Sequence, residues 1–252
     1  MADAGFIDSG STYNHFNFEF DNTLDGPSAI ALSVNLLETC EQDYDTIASW
    51  FDGLTPGGAP FTVQIGPTRA DRSGSNYGGK NITIDLGATS DFSSARSVLV
   101  AELIEIFMTA QNKGWAANKS NGEGLSQAAS FFLYPQEATG LDGIKAWLFA
   151  LPLFPLQRRP DFVTKTDQTD TNKFSYRCAL LFIYYLQSQL GFNMRAIVQA
   201  ASDTLEGVYN NLTQDHNGFS TFSALLLARF PLDQATGEQG SENPFPYLPP
   251  LF

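Results

Sequence analysis

Glu102 and Glu105 stand three positions apart in the stretch VLVAELIEIFM, Val98 to Met108, where every other residue is apolar. Residues at that spacing share one face of a helix. The helix is otherwise apolar on all sides, so the two acids are expected to face a protein interior. A buried carboxylate is costly unless it is protonated, paired with a cation or bound to a metal, and two like charges in reach raise at least one pKa. Such a pair can transfer protons or hold a cation. A plainer reading stays open, in which the glutamates line a wet stripe and pair with Arg96 or Lys113.

A third acid, Glu123, lies 18 positions beyond Glu105 in the segment NGEGLS, near the start of a further helical segment from Gly122 to Tyr134. Later, FSYRCALLF opens a long apolar helix and presents Tyr176 and Arg177. Tyr176 is a candidate hydrogen-bond donor, and Arg177 a candidate partner for a carboxylate. Both also suit ordinary helix packing.

The elements that must position these groups follow from periodicity. HFNFEFDN alternates as a half-buried strand does, and Ala29 to Phe51 carries Leu32, Leu36, Leu37, Cys40, Tyr44, Ile47 and Phe51 at helical spacing. PFTVQIG and NITIDLG are β-branched and bounded by Gly or Pro, which predicts two more strands joined by a loop. Ser and Asp caps in SDFSSARS precede the acid-bearing helix, which is expected to end near Gln111.

From Leu141 the pattern is helical. It comprises IKAWLFALPLF broken by Pro152 and Pro155, a polar connection, a helix from Phe174 to Leu190, and helices over Met194–Ala201, Thr204–Asn211 and Ser220–Arg229. The expected class is therefore α+β: a flexible arm over 1–15, a sheet-and-helix subdomain over 16–139, an all-helical subdomain over 140–231, and a Pro-rich tail over 232–252.

Strand, strand, helix with an acid pair, then a helix opening on Gly-Glu-Gly-Leu resembles the gluzincins, the thermolysin and aminopeptidase class of zinc peptidases. The resemblance spans about Phe61 to Tyr134. It implies a zincin-like small sheet with active-site helices. In that family the first helix carries His-Glu-x-x-His, and a Glu about twenty positions on is the third zinc ligand. Ala101 then stands at the first histidine's position and Glu105 at the second's, while Glu102 matches the general base and Glu123 the third ligand. The family often sets a Tyr or His from the helical part over the site, and Tyr176 fits that role.

With both histidines replaced, zinc hydrolysis is expected to be lost. The expectation is a peptidase-like binding or interaction module that holds a protein or peptide partner in the remaining cleft. The alternative is a hydrolase with a carboxylate-only site, using Glu102 as base and Tyr176 as oxyanion donor. Glu105 and Glu123 would suit a hard cation such as Ca²⁺, Mg²⁺ or Mn²⁺ rather than zinc, and a metal-free cluster that shares protons fits equally.

The whole chain of 252 residues carries 27 acidic and 14 basic side chains, a formal charge of −13, with no basic run for nucleic acid or an anionic membrane. CALLFIYYL, Cys178 to Leu186, is too short to cross a bilayer. MADAGFIDSGS has neither the charged nor the apolar region of a secretory signal, so a soluble, cytoplasmic protein is expected, with export by another route open. Cys40 and Cys178 are expected to be buried thiols, and His15 and His216 both sit in polar surroundings.

Overall fold

Phenylalanines at alternate positions give the sheet its buried face. In the computed structural model, which describes residues 6–24, 26–66, 76–85, 95–135, 147–148 and 159–229, strands β1 (Phe6–Thr12), β2 (Phe16–Asp21), β3 (Phe61–Gly66), β4 (Asn76–Gly78) and β5 (Asn81–Asp85) form one sheet in the order β1-β2-β3-β5-β4. The three central strands are parallel, and β1 and β4 are antiparallel to their neighbours. Register sets Phe18 beside Val63 and Val63 beside Ile82, then Phe20 beside Ile65 and Ile65 beside Ile84, all buried. Asn17, Glu19, Thr62 and Gln64 alternate onto the other face, where Gln64 Nε2 donates to Glu19 Oε2 at 2.9 Å. The class is α+β, as expected.

Helix α1 (Gly26–Trp50) makes the parallel crossover from β2 to β3. Its buried positions Leu36, Cys40, Tyr44 and Ile47, with Phe51 just beyond, recur every three or four residues and lie against the apolar sheet face. Helix α2 (Ala95–Gln111) comes next in the layer. An aromatic line crosses it: the ring of Tyr44 lies 6.1 Å from that of Phe16 and 5.2 Å from that of Phe107 on α2.

Helix α3 (Ser120–Leu133) packs between α2 and α4 (Lys173–Ser188). Every residue of α4 from Ser175 to Leu186 is buried, so it is the central post of the helical half. Around it stand α5 (Met194–Gln199), α6 (Leu205–Thr213) and α7 (Gly218–Arg229), with the Phe222 ring 5.3 Å from that of Phe182. The two halves are tied together, since Trp115 Nε1 donates to Val198 O at 3.0 Å and Gln199 Nε2 to Trp50 O at 2.8 Å.

Two expectations need correction. Residues Phe6–Thr12, assigned to a flexible arm, form edge strand β1. Their sequence FIDSGST lacks the alternation that marks a strand, and they pair antiparallel with β2. The connection assigned as a loop after PFTVQIG contains β4, a three-residue strand turned back on β5. Of the helix expected over IKAWLFALPLF, only Trp147 and Leu148 are described, and both are helical. The rest of it, the capping segment before α2 and the tail over 232–252 lie outside the described residues. Cys40 and Cys178 are buried free thiols, and burial pushes Cys40 up to about 12.

The α3–α4 contact depends on a missing side chain. A Cβ at Gly124 would stand 2.4 Å from the Ala179 Cβ. Gly124→Ala is therefore expected to lower unfolding stability by about 1–3 kcal/mol as an overpacked contact. Adding Ala179→Gly should recover part of the loss, at about 1 kcal/mol of helix propensity. Strictly additive effects in chemical denaturation would count against the contact.

Candidate functional site

Glu102 and Glu105 project from α2 toward the first turn of α3, where Glu123 sits. The glycines on either side of Glu123 have a steric reason. A Cβ on Gly122 would come 2.0 Å from Ala116 O, and Gly124 abuts α4, so Glu123 stands where α3 runs closest to its neighbours. Side chains fasten that helix start. Asn121 Oδ1 accepts from Gly122 N at 2.9 Å, its Nδ2 donates to Gly114 O at 3.1 Å, and Asp167 N donates to Ser120 Oγ at 2.9 Å.

The carboxyl of Glu123 accepts from Gln127 Nε2, and Gln127 Oε1 accepts from Arg177 Nη1 on α4 at 2.6 Å. Arg177 is only 7 % exposed. The Ser126 hydroxyl lies 3.3 Å from Glu105 Oε1 and 3.0 Å from Glu123 O, and the Glu105 and Glu123 carboxyls influence each other's protonation. Glu102 is 8 % exposed.

The electrostatics follow from burial. Desolvation, then the charge of Glu123, pushes Glu102 up to about 8. Desolvation pushes Glu105 up as well, reinforced by Glu102 and Glu123. Glu123 is raised by desolvation but held back by the hydrogen bonds from Glu105 and Gln127 and by the Arg177 charge. Burial thus favours the protonated forms of Glu102 and Glu105, while the Arg177 charge and the Gln127 hydrogen bond favour the ionised form of Glu123.

The structure thus brings together Glu102, Glu105 and Glu123. Glu102 is buried, while Glu105 and Glu123 are half-buried. Arg96 pairs instead with Asp43, 3.7 Å from Oδ2, and Lys113 is exposed in the turn after α2. Arg177 reaches a carboxylate, but through Gln127. Sequence reading missed Gln127, although its spacing of four from Glu123 within a helix was a usable signal. Tyr176 lies buried on the first turn of α4, with the Arg177 guanidinium 5.1 Å from its ring centroid. No hydrogen bond among the described residues joins its hydroxyl to the three carboxyls.

Zinc does not fit these residues. Ala101 has no donor atom, and the donors of Glu102, Glu105 and Glu123 are all oxygen. The histidines are elsewhere. His15 Nδ1 lies 2.6 Å from Glu41 Oε2, and His216 is exposed beside Asn210. Among the described residues no group of three or more His, Cys, Asp or Glu side chains is arranged to hold a metal ion. No helix among them is long and apolar enough to cross a membrane.

Arg177 is the buried cation nearest this network, so its removal tests the balance. Arg177→Met is expected to cost about 1.5–3 kcal/mol at neutral pH, because Gln127 Oε1 loses a charge-assisted hydrogen bond and Glu123 a nearby cation. The loss should be smaller at acidic pH, because Glu123 then takes up a proton. Equal losses at both pH values in urea titrations would contradict the electrostatic account.

No protein-family model, curated protein or solved structure matches this chain, so the chemistry of the buried carboxyls carries the functional reading.

Proposed function

We propose that this chain is a zincin-like protein that has lost zinc-dependent proteolysis and acts as a binding or interaction module for a protein or peptide segment, held in the residual cleft beside α2 and α3. The order β3, β5, α2, α3, with the acid pair on the first helix and Glu123 on the second, supports the scaffold assignment. The observation that carries the loss of zinc chemistry is the donor set, since Ala101 offers no donor atom and Glu102, Glu105 and Glu123 supply only carboxyl oxygen. Nothing in this reading requires a nucleic acid or a membrane.

A second reading is favoured by one feature. Glu102, held near 8, lies in the range where a carboxyl exchanges protons at working pH. The site would then be a hydrolase using carboxylates alone, or with Ca²⁺, Mg²⁺ or Mn²⁺ held by Glu105 and Glu123, and Tyr176 as donor to a developing oxyanion.

Elemental analysis by mass spectrometry of protein purified without chelator or affinity metal separates the two, run on the wild type, Glu105→Ala and Glu123→Ala. The binding-module reading expects no near-stoichiometric ion. It also expects Glu102→Gln to fold normally and to gain stability over the wild type as pH rises from the ordinary glutamate range to about 8, where the unfolded chain ionises this group and the folded chain keeps its proton. An ion lost in both variants, or a peptide- or ester-hydrolysing activity abolished by Glu102→Gln, would replace it with the hydrolase.

A further inference from the structure

We propose that Asn217, in the Asn217-Gly218 pair at the head of α7, is a self-modification site that loses its side-chain amide to attack by the Gly218 nitrogen, and that Glu206 holds this reaction in check. The proposal goes beyond the binding-module reading and stands without it.

The reagents are the protein's own groups and water. The Gly218 nitrogen bonds to Asn217 Cγ, the bond from Cγ to Nδ2 breaks, and ammonia leaves with the hydrogen given up by Gly218. Water then opens the resulting cyclic imide at either carbonyl. The products are an aspartyl or an isoaspartyl residue at position 217, each with a new carboxylate. Glycine obstructs this attack least of all residues, because it has no Cβ.

The sequence holds two Asn-Gly pairs, and the fold treats them differently. Asn121 is 1 % exposed, and its Nδ2 donates to Gly114 O at 3.1 Å and to Ser202 O at 3.4 Å. Its amide is thus held by backbone carbonyls in the interior, beside a Gly122 wedged against Ala116. Asn217 is exposed, and its Nδ2 donates to Asp215 Oδ1, also at the surface, at 2.8 Å. Water reaches this pair and not the other.

At Asn217 the restraint acts on the nucleophile. A helix start needs acceptors for its first N–H groups, and an asparagine just before it commonly supplies one. Here they come from α6, where Glu206 Oε1 accepts from Gly218 N at 3.0 Å and Oε2 from Phe219 N at 3.1 Å. Thr221 N donates to Asn217 O at 2.9 Å, which fixes the peptide from the other side. The attacking nitrogen must therefore leave a carboxylate before it can reach Cγ. Charge-assisted bonds of this kind slow the attack by about ten- to a hundredfold.

The reaction is one-way and changes the local charge. An amide that donates to Asp215 becomes a carboxylate beside Asp215 and close to Glu206, so like charges meet where α6 and α7 join. The start of α7 loosens as a result, and with it the helix whose Phe222 ring packs on Trp147 and Phe182.

Peptide mapping by mass spectrometry of the full chain, kept folded at neutral pH and sampled over weeks, reads both pairs in one molecule. The wild type should gain acid at Asn217, as aspartyl and isoaspartyl products together, while Asn121 keeps its amide. Glu206→Ala should speed the reaction at Asn217 by about ten- to a hundredfold and leave Asn121 unchanged, which also shows that the variant is folded. Glu206→Gln keeps an acceptor oxygen without the charge and should fall between the two. Adding Gly218→Ala to Glu206→Ala should slow the reaction again, because a Cβ then obstructs the nitrogen. The proposal is overturned if Asn217 reacts no faster than Asn121 in the wild type, or if the aspartyl product forms alone. It is overturned equally if both Glu206 variants leave Asn217 at the wild-type rate, or if both speed the two pairs alike.

Discussion

Carboxyl groups can be set between apolar helices only if protons or cations are buried with them, and much of the arrangement of α2, α3 and α4 follows from that requirement at Glu102, Glu105 and Glu123. Glu123 must enter the interface at the first turn of α3, which requires the Gly122 and Gly124 backbone to run hard against Ala116 and Ala179. That approach in turn places α4 close enough for Arg177 to reach Gln127. The anchors at Asn121 and Ser120 hold the helix start at the one height where these contacts coincide. Packing and charge balance are therefore the same constraint seen from two sides.

The far end of α3 handles a buried acid differently. Asp43 on α1 is 4 % exposed, and desolvation raises its pKa against the opposing effects of Tyr134 and Arg96. The Tyr134 hydroxyl donates to Asp43 Oδ1, and the Arg96 guanidinium lies 3.8 Å from the Tyr134 ring centroid. Here a cation and a phenol flank the acid directly, so no second carboxyl is needed to hold a proton. One end of the α2–α3 pair therefore joins three helices through a cation, a phenol and one acid, while the other gathers three acids whose pKa values burial raises.

Much of this was legible in the sequence where a regular period met a buried face. Phe16, Phe18 and Phe20 alternate, and Leu36, Cys40, Tyr44 and Ile47 recur at helical spacing, so β2 and α1 were found. Strands β1 and β4 were not, because FIDSGST and NYG carry no regular apolar alternation and pair only at the edges of the sheet. The acid cluster was legible because Glu102 and Glu105 interrupt an apolar run. Its counterweight was not. Arg177 and Gln127 lie 50 positions apart, and only the tight α3–α4 packing brings them into contact.

On the proposed zincin-like reading, the replacement at the second ligand position has a consequence of its own. A neutral histidine offers a metal a lone pair without adding charge, whereas a glutamate there adds a negative charge beside Glu102 and Glu123. With Ala101 removing the other nitrogen, a soft or borderline cation loses its donors while the site gains negative charge. Burial and mutual repulsion raise the carboxyl pKa values, so protons restore part of the balance, and the Gln127 amide, which donates to Glu123 and accepts from Arg177, couples the cluster to a buried cation.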